Sequence, residues 1–260
     1  MSYKTILLLG SICAAGFVLS AGAAQANGIA GTASADYANY SFSGASGSAD
    51  SWGGSVAGRI DTGLWDMKLQ GNAAYHNISA SGISVDNWGL SGNAYWEPGK
   101  GRLGLSLGYQ NFDAGPSLNI TNYGAFAEWW ASDAFTLSAK GGGFSGNYGI
   151  DGYYLGGEAK GYVMPDVALS GSVDYTDFNS ANETDLTAMA EWLVSEDVPV
   201  SISGGYRYSD ISGFSGHVNT WFVALTWYCD EDGSDPTLAG RQRSGTLNWT
   251  AGFRPVAGML

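Results

Sequence analysis

The sequence predicts an all-β fold, a transmembrane antiparallel up-and-down β-barrel of about 12 strands behind an N-terminal signal peptide. Three observations predict it. The chain begins with an export-type leader, its remainder alternates with a period of two, and the alternation separates charged residues from apolar ones with aromatics near the strand ends.

The leader is residues 1–26. Lys4 supplies a small basic start, Ile6 to Gly10 and Ile12 to Leu19 supply the apolar stretch, and Ala24-Gln25-Ala26 fits a small-x-small cleavage site before Asn27. Cleavage there removes Cys13 and leaves Cys229 alone, so no intramolecular disulfide is expected. Past residue 26 no apolar run approaches the roughly 18 residues that a transmembrane helix needs. A chain that spans a membrane without such a helix must close its sheet, because lipid satisfies no open edge.

Residues 27–229 carry the barrel. Leu103, Leu105, Leu107 and Tyr109 alternate with Arg102, Gly104, Ser106, Gly108 and Gln110. Trp65, Met67, Leu69, Gly71, Ala73 and Tyr75 face away from Asp66, Lys68, Gln70 and Asn72, and Val200, Ile202, Tyr206 and Tyr208 face away from Ser201, Ser203 and Arg207. The predicted strands are 30–41, 50–61, 64–77, 86–97, 101–111, 120–130, 134–145, 148–162, 166–178, 183–193, 198–209 and 216–229. Short turns are expected after the even strands and mostly longer Ser/Gly/Asn-rich loops after the odd ones, the pattern of periplasmic turns and external loops. An even strand number then puts both ends of the barrel chain in the periplasm.

The polar parity collects the candidate lumen-facing residues Arg59, Lys68, Arg102, Glu128, Lys140, Glu158, Lys160, Asp174, Asp185, Glu191 and Arg207. On a lipid face a mid-membrane Arg or Lys would cost about 2–4 kcal/mol, so this parity is expected inside. Glu128 and Lys140 are expected on adjacent strands within pairing reach, and Lys160 and Glu158 near Asp174. These charges either line a narrow wet channel or form salt-bridged layers that plug it. Tyr40, Tyr95, Phe126, Tyr154 and Met189 share the inward parity and support the second arrangement. Trp65, Trp88, Trp96, Tyr109, Trp129, Trp192, Tyr208 and Trp227 sit near predicted strand ends and are the candidate aromatic girdle. Among 40 glycines, those inside strands ease curvature and leave lumen space.

Other chemistries find little support. With 11 basic against 24 acidic residues and a net charge of -13, the chain has no basic patch for nucleic acid. His76 and His217 are read as surface histidines near external strand ends, not as a metal pair. No nucleophile elbow or cysteine cluster is present, so neither an enzyme nor a metal or cofactor site is expected. The acidic run Asp230 to Asp235 lacks the ligand pattern of a calcium loop and reads as a solvated linker. Residues 230–260 read as a periplasmic tail, unless Thr246 to Phe253 adds a strand and raises the count to fourteen.

The hairpin Ala125-Phe126-Ala127-Glu128-Trp129-Trp130-Ala131-Ser132-Asp133-Ala134-Phe135-Thr136-Leu137 and its repeats make Asn27 to Cys229 resemble a porin-like outer-membrane β-barrel of the alphaproteobacterial kind. Thr237 to Gly245, with Arg241 and Arg243, is similar to the post-barrel tails of such proteins. Leu260 departs from the terminal aromatic common among them. The resemblance implies residence in a Gram-negative outer membrane, lipid and lipopolysaccharide around the barrel, and insertion by the barrel assembly machinery. It further implies passive diffusion of small hydrophilic solutes.

Overall fold

Alternating side chains allow one face of each strand to meet lipid and the other to meet the lumen, and closure leaves no edge unpaired. The computed structural model describes residues 29–43, 47–80, 82–178, 181–195, 197, 199–213, 216–229 and 235–247. The leader, most of the acidic run, and the stretch from Asn248 to Phe253 in the rival strand lie outside them. Twelve strands run β1(Ile29–Phe42), β2(Ser48–Asp61), β3(Met67–Ala80), β4(Ile83–Trp96), β5(Gly101–Asp113) and β6(Ser117–Ser132). They continue as β7(Phe135–Gly146), β8(Asp151–Met164), β9(Val167–Asp177), β10(Asn182–Leu193), β11(Val200–Ile211) and β12(His217–Cys229), followed by the short helix α1(Leu238–Ser244). Each strand pairs antiparallel with its sequence neighbours, and β12 pairs with β1 to close a twelve-stranded barrel. Thr246 and Leu247, the described part of the rival strand, are not in a strand.

We call the end with the start of β1 and the end of β12 proximal, and the other end distal. The proximal links are 62–66, 97–100, 133–134, 165–166 and 194–199; the distal ones are 43–47, 81–82, 114–116, 147–150, 178–181 and 212–216. The expected contrast between long and short links is therefore absent. Residues read as distal loop, such as Ile78 to Ser84, continue the β3–β4 ladder as far as Ala80 opposite Ile83. Their polarity marks exposure to water, not loss of pairing. Tyr75 donates to Asp86 at 2.6 Å and Asn77 to the same carboxylate at 2.8 Å. Tyr37 and Asn39 repeat this on Asp50, and Tyr109 and Asn111 on Asn119. Such polar outward pairs let the sheet run on beyond an apolar band.

At the proximal end β3 starts three residues later than predicted. Trp65 and Asp66 take positive φ (50° and 57°) in the turn, and Thr62 N–H donates to Met67 O at 3.1 Å. The outward face of the barrel carries exposed Leu69, Leu90, Leu105, Leu155, Val173 and Leu225. An apolar outer face of this kind is the inverse of a water-soluble sandwich and suits a lipid solvent.

Candidate functional site: the charged lumen and its proximal mouth

The inward side chains form three layers. Nearest the distal end, Ala49, Ile78, Val85, Phe112, Ile120, Phe144 and Tyr154 make a buried apolar cluster inside the barrel, joined by Tyr40, Phe42, Leu118, Ile150 and Phe178. The middle layer surrounds a cavity of about 430 Å³ of mixed lining, with Lys140, Glu158, Lys160, Asp174, Glu191 and Arg207 in its wall. The third, at the proximal mouth, is partly made by the tail.

In the cavity wall, Lys140 Nζ lies 2.8 Å from Asp174 Oδ1. The expected Glu128–Lys140 pair is not formed. The register, with an irregularity between Trp130 and Ser132, sets Lys140 opposite Phe126 and Glu128 opposite Ser138. Glu128 instead accepts from Trp130 Nε1 at 2.5 Å. Lys140 reaches Asp174 because Gly156 lies between them on β8, opposite Lys140 on one side and Asp174 on the other. A Cβ at Gly156 would sit 2.1 Å from Asp174 Oδ1. Lys160 pairs within its own strand with Glu158 at 3.4 Å, not with Asp174. Asp185 stands opposite Asp174 across β9 and β10 and accepts from Ser209 Oγ. Arg207 faces the cavity, and among the described residues no ion pair reaches it.

His76 also lines this cavity. The surface reading of this residue is corrected by its parity: Tyr75 points out, so His76 points in. Its Nε2 lies 3.1 Å from Asp36 Oδ2, across Gly53 on the intervening strand. His217 keeps to the outward distal edge, where Ser43 Oγ meets its Nδ1 at 2.9 Å and its ring packs on Tyr208 at 4.9 Å.

At the proximal mouth Arg59, Lys68 and Arg102 converge on Glu97, a turn residue the strand pattern does not single out. The distances are 3.8, 3.1 and 2.7 Å respectively, and Arg102 is 2% exposed. Its guanidinium lies 5.7 Å from the ring centres of both Tyr95 and Trp130. Residues 235–247, read from sequence only as a polar tail, fill the space these side chains leave. Leu238 packs with Ala168, Leu193 and Tyr228, and Leu247 with Tyr95 and Phe126.

The hydrogen bonds of this segment reach most of the wall. Gln242 donates to Glu191 Oε2 at 2.8 Å, and its Oε1 accepts from Lys160 at 3.1 Å and from Tyr162 at 3.0 Å. Glu191 accepts in addition from Ser201 and Tyr228 at 2.6 and 2.5 Å. Arg243 donates to Ser132 O, and Leu247 N–H to Gln70 Oε1, both at 2.8 Å. Thr246 Oγ1 lies 2.8 Å from Thr32 Oγ1 on β1. Residues 235–245 show no alternation, and nothing in their composition marks them as an interior segment.

The candidate girdle residues divide between the two ends of the outward face. Trp65, Trp96, Trp129, Trp192 and Trp227 stand toward the proximal end, Trp65 being 87% exposed, while Trp88, Tyr109 and Tyr208 stand toward the distal end. The Trp88 and Tyr109 rings pack as a tilted pair with centres 5.4 Å apart, and Trp192 Nε1 donates to Asp166 at 3.1 Å.

No family model matches the chain, and no curated protein does. Solved structures do match. An outer-membrane channel from Pseudomonas putida F1 superposes with a TM-score of 0.58 over 77% of this chain and 95% of that one, at 11% identity. The KdgM porin in complex with disordered oligogalacturonate gives 0.54 over 75% and 98%, at 10% identity. The translocator domain of the autotransporter NalP from Neisseria meningitidis gives 0.51 over 86% and 97%, at 11% identity. The fold is that of an outer-membrane β-barrel. At these identities the likeness to the channels and to the translocator is one of fold alone. Among the described residues no group of three or more His, Cys, Asp or Glu is placed to hold a metal ion.

Proposed function

We propose that this chain is a porin-like protein of the Gram-negative outer membrane, non-catalytic, through whose narrow charged lumen small hydrophilic solutes diffuse. The supporting observation is the cavity of about 430 Å³, lined by both signs of charge in the middle of a barrel whose outer face is apolar. An inert packed barrel has no need of ion pairs around empty space, whereas solute paths use such charges to set the local field. In this reading the aromatic residues at the two ends meet lipid and lipopolysaccharide, the barrel assembly machinery inserts the chain, and the proximal end faces the periplasm. The alphaproteobacterial affiliation, carried by the hairpin 125–137, belongs to the same proposal.

Reconstitution into planar bilayers tests it. The full chain is expected to give discrete conductance steps that favour cations, and Lys140→Ala and Arg207→Ala each to raise that preference. A protein that migrates as a folded, heat-modifiable species yet passes no current, in liposomes that admit no small sugar, would sink the proposal. The second reading is a permanently closed structural barrel. It is favoured by residues 235–247, which occupy the proximal mouth, and it forecasts that null result.

A further inference from the structure

The tail does more than occupy space at the proximal mouth, because its backbone oxygens are placed where an anion would be. Arg102 Nη2 donates to the carbonyls of Arg243 and Gly245, the latter at 3.2 Å, and Arg59 Nη1 donates to the same Gly245 carbonyl at 3.4 Å. Two buried guanidinium groups thus converge on one neutral oxygen. Arg59 Nε, also buried, finds no acceptor among the described residues. Lys68 adds a third cation beside them, and the three share Glu97, with Asp61 meeting Lys68 on its outer side at 3.3 Å. The local excess of positive charge contrasts with the net -13 of the whole chain.

We propose that Arg59 and Arg102 form a carboxylate-binding site at the proximal mouth, which residues 243–247 occupy as an internal pseudo-ligand and from which a carboxylate-bearing solute displaces them. The proposal rests on the porin reading and deepens it by naming a ligand class and a gate.

The chemistry favours exchange. A carboxylate brings a full negative charge and two oxygens to the fork of a guanidinium, a bidentate match that adds energy and geometric specificity and that a single neutral carbonyl cannot make. Arg102 is held ready between Tyr95 and Trp130, so little ordering is needed when the ligand arrives. Opposing this, Leu247 is buried against Tyr95 and Phe126, and Gln70 holds its N–H. The strands close without the tail, since β12 pairs with β1 directly. Its end can therefore leave without breaking the barrel ladder.

The test uses the chain with Cys13→Ser, Cys229→Ser and Thr246→Cys, folded in detergent. Thr246 is fully buried, so the reaction of the new thiol with a neutral maleimide reports release of the tail. Succinate is raised against chloride at equal ionic strength. Slow labelling in chloride that rises about tenfold and saturates with succinate is the expected result. Arg59→Lys, which keeps the charge and loses the planar fork, is expected to raise the succinate needed for half the effect while heat-modifiable migration is unchanged. Equal labelling in the two salts, fast labelling in chloride alone, or an unshifted response in Arg59→Lys would overturn the site. A barrel that responds to succinate yet never conducts supports the site and removes the pore reading. One that conducts without the response removes the site alone.

Discussion

The two ends of the lumen are filled in different ways. Distally the filling comes from the strands themselves: Ile78, Phe112, Ile120, Phe144 and Tyr154 sit on β3, β5, β6, β7 and β8, in positions the barrel ladder dictates. Proximally the filling is borrowed, with Leu238 and Leu247 coming from a segment that follows β12 and pairs with no strand. The difference teaches that similar burial has different consequences. Distally the filling moves only as individual side chains turn on a fixed ladder, whereas the proximal filling leaves as one segment.

Truncating one anchor at each end gives the largest expected contrast. Phe144 is buried and packs on Phe178 at 5.2 Å between ring centres. Phe144→Ala should lower barrel stability by about 3–5 kcal/mol, from lost transfer energy and the cavity left behind. Leu247→Ala removes comparable contact from the tail, so it should shift the urea midpoint of the barrel little while exposing Thr246→Cys to labelling. Urea titration followed by gel migration and maleimide labelling reads both effects. Equal loss of barrel stability in the two variants would show that the tail is part of the cooperative unit.

A smaller effect is expected at Glu97. Glu97→Gln leaves Arg59, Lys68 and Arg102 facing one another without their shared carboxylate. Breaking a buried pair from one side costs up to about 3–5 kcal/mol, and partial exposure of Glu97 puts the expectation near the lower bound. If channels form, ion selectivity should also move toward anions under a salt gradient. An unchanged urea midpoint with unchanged selectivity would mean that water reaches the cluster and replaces the missing carboxylate.

Much of this was legible in the sequence because a strand has only two faces. Once Tyr75 is outward, His76 must be inward, and Arg102, Lys140 and Glu191 follow from their apolar neighbours in the same way. Twelve strands and their order were likewise readable from alternation. Register was not: Glu128 stands opposite Ser138, two places short of Lys140, and no residue type near Ala131 announces the one-residue irregularity there. Polar composition at the distal hairpins was misread as loop, since exposure and hydrogen-bond pairing are separate properties and Ser79, Ser84 and Ser117 have both. Glu97 and Gln242 escaped because Glu97 stands at the turn that ends a predicted strand and Gln242 lies in no alternating segment. Their roles come from tertiary placement alone.

The smallest expected effect concerns two glycines that do the same work in the two halves of the wall. Gly53 separates Asp36 from His76, and Gly156 separates Lys140 from Asp174; in each row the absent side chain lets the flanking charges meet. Their neighbours differ. A Cβ at Gly53 would lie 2.2 Å from the backbone oxygen of Tyr75 and 2.4 Å from the His76 ring, whereas one at Gly156 meets the end of Asp174 and, at 2.7 Å, Lys140 Cε. Backbone in a closed ladder yields little, so Gly53→Ala should cost about 1–3 kcal/mol in overpacking. Side-chain ends swing aside, so Gly156→Ala should cost less, about 1 kcal/mol, as expected for an ion pair that is pushed apart near water. Urea midpoints give the order directly. If Gly156→Ala is the more damaging, Lys140 and Asp174 brace the barrel wall. If it is the milder and single-channel current changes, the pair serves the lumen.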